Sequence, residues 1–166
     1  MHDYRLDFMQ RGMTNALENF KRKKSGAGFS DDVEIELVEF LLWVAAINER
    51  IYKIGGKGYG QWRDSSPSGR IVNALRFVRN AYVHSGPEAM SLVGGGFTFP
   101  IVFPLVAQAP SLKWKPLEKL GNTGKPDAEG EALYREILEG RDVPQTLQEA
   151  HDWLASELQQ YRETEG

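Results

Sequence analysis

Residues 66–87 read SPSGRIVNALRFVRNAYVHSGP, and the fold turns on how this stretch is read. Ser66 and Pro67 make a helix start, because a proline in the first turn forfeits no hydrogen bond and already has a helical φ. Ser85-Gly86-Pro87 make a stop. Wound at about 100° per residue, Ile71, Ala74, Leu75, Val78, Ala81 and Tyr82 fall on one face, which must pack on a core. The opposite face carries Asn73, Arg76, Asn80 and His84, the last three at successive spacings of four, with Arg79 at the border. Asn80 and His84 are one turn apart, within reach of a side-chain contact. Phe77 and Val83 flank this polar stripe, which hints that another surface covers it.

Outward from this helix the pattern stays helical. Leu6, Met9, Met13, Ala16, Leu17 and Phe20 recur at three and four, predicting a first helix from about Asp3 to Lys24, which Gly12 weakens slightly. Lys21-Arg22-Lys23-Lys24 suits a helix C-terminus. Ser30-Asp31-Asp32 starts a second helix running to about Ile54, with Trp43 in its core. Gly55-Gly56-Lys57-Gly58-Tyr59-Gly60 matches neither the dinucleotide nor the Walker pattern and reads as a flexible connector. After the third helix the period changes. Phe97, Phe99, Ile101, Phe103 and Leu105 alternate, but Pro100 and Pro104 interrupt strand pairing, so a short hairpin or an extended arm is expected. Two more helices follow, roughly Ala128 to Glu139 and Pro144 to Arg162. The expected fold is all-α, about five helices in one domain over residues 1–166, with an insert at about 88–126.

Composition sets outer bounds. At 166 residues and 41% hydrophobic content the chain can bury a sizeable core. It has no cysteine, which excludes disulfides, thiolate metal sites and a cysteine nucleophile, and fits a reducing compartment. The first residues lack the basic-then-apolar order of a signal peptide, and Phe40–Ile47 is far shorter than the roughly 20 residues of a membrane span. A cytoplasmic location without membrane contact is expected. The net charge of −3 hides a division. Arg50, Lys53, Lys57, Arg63, Arg70, Arg76 and Arg79 face a single acid, Asp64, whereas residues 127–166 hold eleven acids and three bases. Such blocks are either solvated surface or, for the basic one, a local anion site.

The six residues Arg79-Asn80-Ala81-Tyr82-Val83-His84 resemble the Arg-x4-His signature, with Asn after Arg, of HEPN domains, small helical bundles that often act as ribonucleases in toxin and phage-defence systems. The resemblance covers this motif and the helical context of about the first 90 positions. It implies a metal-independent, cofactor-free endoribonuclease acting at a composite site of a homodimer, with an antitoxin protein as a possible partner. Arg79, Asn80 and His84 are then the catalytic candidates. His84 can transfer a proton near neutral pH, Arg79 can hold the scissile phosphate through its planar fork, and Asn80 can orient His84 or touch the phosphate. Arg76, Arg70 and Arg63 would bind RNA, and Trp62 could stack a base. Two other readings stay open. The domain could be a non-catalytic RNA- or nucleotide-binding or protein-interaction module, and His84 could be only a favourable cation at a helix C-terminus. His2 and His151 are too scattered to suggest a metal site.

Overall fold

The third helix opens as its sequence dictates. The Ser66 hydroxyl accepts the Gly69 backbone N–H at 3.1 Å, satisfying one of the donors that a helix start leaves free. In this computed structural model, residues 4–24, 31–85, 89–93, 111–120 and 126–165 are described. They form α1 (Tyr4–Lys24), α2 (Asp31–Ser65), α3 (Pro67–Ser85), β1 (Met90–Val93), β2 (Ser111–Trp114), a 3-10 turn (Leu117–Lys119), α4 (Ala128–Ile137) and α5 (Val143–Glu165). The protein is an all-α bundle with a short β insert after its third helix.

Helices α1, α2, α3 and α5 surround a core in which Met13, Phe20, Leu37, Phe40, Ile47, Leu75, Val78, Leu147 and Leu154 are fully or almost fully buried. Each such side chain contributes about 1.5–3 kcal/mol of transfer free energy. Neighbours in sequence run antiparallel: Lys23 at the end of α1 pairs with Glu36 near the start of α2 at 2.6 Å, and Tyr82 near the end of α3 donates to Glu34 at 3.3 Å. Trp43 packs against this core only partly buried, its ring edge-on to Phe8 and its indole seated over Gly12. Gly12, read from sequence as a weakness of α1, is thus the notch that admits the indole. At Gly69 an added Cβ would strike the Arg63 carbonyl, a backbone group that cannot swing aside. Gly69→Ala is therefore expected to cost about 1–3 kcal/mol, read as a lower urea midpoint at unchanged m-value. An unchanged midpoint would mean that α2 and α3 are less tightly joined than this geometry requires.

The glycine-rich stretch after Ile54 is not a connector. Helix continues to Ser65, interrupted at Gly56, whose φ of 57° and ψ of −143° are essentially closed to other residues. Glycine permits the kink, and burial resumes the helix beyond it. Tyr59 and Arg63 are buried, and both donate across the kink to Asn48 Oδ1, at 2.9 and 3.3 Å.

The insert forms a two-stranded antiparallel sheet with Met90 opposite Trp114 and Val93 opposite Ser111. These strands flank the alternating Phe97–Leu105 run, which lies outside the described residues. Trp114 is buried, and β2 also bonds the α4–α5 connection: Trp114 N–H donates to the Arg141 carbonyl and Gly140 N–H to the Trp114 carbonyl, both at 3.1 Å. Asp127 caps α4 by accepting the Gly130 N–H at 2.9 Å, and Asp142 accepts the Gln145 N–H at 3.0 Å in the first turn of α5. So held, α4 lies on α3, with Tyr134 against Phe77.

Burial pushes the hydroxyls of Tyr59, Tyr82 and Tyr134 above the ordinary tyrosine range. Their folded values exceed the unfolded value of about 10, so the stability they represent is whole below that pH and is lost as pH rises beyond it. Of the six tyrosines, these three are expected to ionise only as helical circular dichroism is lost. Their ionisation near pH 10 with the fold intact would contradict their burial.

Candidate functional site

Two halves of α3 differ in what their polar groups touch. Around the first half, at its junction with α2, Arg70, Asn73, Arg63 and Trp62 are all engaged. Arg70 bonds Glu136 of α4 at 2.6 Å, and that bond holds the Glu136 carboxyl below the usual carboxylate range. Arg63, buried at the end of α2, clasps Asp64 through Nε and Nη2 at 2.8 and 3.0 Å, while Asn73 donates to the same Asp64 at 3.1 Å. Trp62, beside it, donates its indole N–H to Glu157 of α5 at 3.0 Å.

In the second half four polar side chains stand apart. Arg76 and His84 are exposed, Arg79 and Asn80 half-buried, and none makes a hydrogen bond or ion pair among the described residues. Arg79 Nε is buried without a partner, an orphan donor of a kind that folded proteins rarely leave. Phe77 is covered by α4, as its position beside the stripe suggested, whereas Val83 stays 60% exposed next to His84. The segment is anchored from its other side: Tyr82 accepts the Ala89 N–H at 3.0 Å while it donates to Glu34, fixing the end of α3 to α2 and to the residue before β1.

The seven sequence candidates therefore divide. Arg76, Arg79, Asn80 and His84 share the last turns of α3. Arg63, Arg70 and Trp62 lie toward its other end, and 14 residues separate Arg70 from His84, about 20 Å along a helix. A compact ligand on His84 does not reach them. Arg70 and Trp62 meet carboxylates of the acidic C-terminal helices, Glu136 and Glu157, so the two charge blocks of the sequence touch there, whereas Arg63 is held within α2 by Asp64 and Asn48.

Sequence reasoning missed one contact chain. Thr14 Oγ1 and His151 Nε2 share a hydrogen bond of 2.9 Å, and His151 Nδ1 lies 2.9 Å from Asp152 Oδ1, linking α1 to α5. The partner of His151 lies 137 positions away, and only the packing of α5 on α1 reveals it. Among the described residues no three His, Asp or Glu side chains gather as metal ligands would, and no helix is long and apolar enough to cross a membrane.

No family model, curated protein or solved structure matches the chain.

Proposed function

We propose that this chain is a metal-independent endoribonuclease that works as a homodimer, with the last turns of α3 from two copies forming one cleft. The observation that carries the reading is the set Arg76, Arg79, Asn80 and His84, polar groups gathered on one helix face without partners while their neighbours Arg63 and Arg70 are occupied. Unoccupied guanidinium groups suit a phosphate. The exposed Val83 beside them offers apolar surface that a second copy could cover.

In the proposed reaction the RNA 2′-oxygen attacks the adjacent phosphorus as the bond to the 5′-oxygen breaks, giving a 2′,3′-cyclic phosphate and a free 5′-hydroxyl. One His84, neutral, takes the 2′-hydroxyl proton, and the second copy's His84, protonated, gives one to the leaving oxygen. Histidine suits both tasks because its charge changes between about pH 5 and 8. Arg79 meets the charge that grows on the phosphorane oxygens. Such an activity fits a toxin or phage-defence role, with a protein antitoxin as restraint.

The test is incubation of purified protein with single-stranded RNA in excess EDTA. Fragments ending in 2′,3′-cyclic phosphate are expected. Retention of RNA without cutting would replace the nuclease by a binding module, and neither binding nor cutting would leave a protein-interaction module.

A further inference from the structure

At the other end of α3 from His84 lies a cavity of about 460 Å³, lined by Gly58, Tyr59, Trp62, Glu157, Gln160 and Tyr161. It is the product of the Gly56 kink. The kink brings the last turns of α2 against α5, and Gly55, lacking a Cβ, lets the Tyr161 phenol close in where any side chain would collide with it. The volume falls within the roughly 300–1,000 Å³ usual for small-molecule sites.

The chemistry of the lining is specific. Glu157 is only 4% exposed, yet its sole hydrogen bond among the described residues is the one that Oε1 accepts from the neutral Trp62 indole. A buried carboxylate normally has a cation or several donors around it. Among the described residues no cation pairs with Glu157: Arg63 bonds Asp64 and Asn48, Arg162 bonds Asp7 and Gln10, and Lys57, next to Gly58 in sequence, is exposed. Three aromatic rings surround this charge. Tyr59 is buried, Trp62 is 53% exposed, and Tyr161 makes no hydrogen bond among the described residues. Burial, with the neighbouring Glu157 carboxylate, raises the Tyr161 phenol above its ordinary range. Aromatic faces attract cations, most strongly where water is excluded.

We propose that this cavity binds an organic cation, an amidinium or guanidinium joined to a flat or alkyl body, with the cationic N–H groups on Glu157 and the body against Trp62 and Tyr161. A carboxylate takes two parallel N–H donors from such a group. The source is either a free small molecule or the arginine side chain of a peptide. The proposal does not depend on the RNA reading, because the cavity shares no residue with the last turns of α3.

Titration calorimetry on the full chain tests it. Benzamidinium is expected to bind saturably, its neutral isostere benzamide at least tenfold more weakly, and benzoate not at all. Glu157→Gln should weaken benzamidinium at least tenfold while leaving benzamide unchanged. Trp62→Ala, and Trp62→Phe as the variant that keeps an aromatic face, separate stacking from folding: alanine should weaken both ligands and phenylalanine should retain most of their affinity, with thermal melts of each variant run alongside. Agmatine and an arginine tripeptide with blocked ends then separate the two sources. Guanosine carries the same paired N–H donors without a charge, so stronger binding of guanosine than of benzamidinium overturns the cation assignment. Equal affinity for benzamidinium and benzamide, or no binding of either, also overturns it.

Discussion

His84→Ala is expected to slow RNA cleavage by about a hundred- to ten-thousand-fold, the range that a positioned proton-transfer group supplies. The fold should not notice, because His84 is exposed and makes no hydrogen bond among the described residues; such surface changes stay within about 0.5 kcal/mol. Arg79→Ala should fall comparably in rate, and Arg79→Lys should recover only part of it, because an ammonium restores the charge but not the planar fork. Arg70→Ala provides the contrast. Its guanidinium serves Glu136, so cleavage should persist. Initial rates on one RNA, with thermal melts of each variant, decide the matter. Full activity in His84→Ala would end the nuclease proposal, and loss of activity in Arg70→Ala equal to that in Arg79→Ala would show that RNA runs the length of α3.

Trp114→Ala is the substitution with the largest expected effect on stability. The side chain is 1% exposed in a strand that holds both β1 and the α4–α5 connection. Truncating a buried tryptophan costs about 3–5 kcal/mol, a large part of the roughly 5–15 kcal/mol that keeps a domain folded. Trp114→Phe separates packing from polarity. The Trp114 indole N–H is buried without a partner, a standing penalty that phenylalanine removes. Its cost should therefore be less than half that of alanine, measured as ΔG of unfolding in urea. Equal losses would mean that the indole nitrogen is satisfied in solution.

How much of this was legible beforehand depended on whether the cause was local. The start of α3 was readable, since Ser66 and Pro67 act within one turn, and so was its buried face, since period alone sets it. The continuation of α2 past Gly56 was not. A glycine cluster announces freedom, and what spends that freedom on a kinked helix is Asn48, eleven residues from Tyr59, receiving its hydroxyl. The β insert was placed correctly, but its strands flank the alternating run from which it was inferred. The basic block illustrates the same limit from the side of charge. Arg70 looked available until Glu136, 66 positions on, arrived beside it, and nothing in the sequence tied the Trp62 indole N–H to Glu157, 95 positions away. By contrast Arg76, Arg79, Asn80 and His84 share one helix surface on spacing alone, so their juxtaposition needed nothing distant.

The seam between α1 and α5 has a consequence for kinetics. Arg162 bonds Asp7 across 155 positions, with Thr14–His151 and Lys21–Gln148 spanning 137 and 127. Helices α1, α2 and α3 follow one another closely in sequence, whereas this seam joins the two ends of the chain. Loop-closure entropy rises as about 3/2 RT ln n, so the added cost is modest, but contacts of long separation weigh heavily on folding rate. An all-helical composition suggests a fast folder, and the seam makes this bundle a slower one than its helices alone imply.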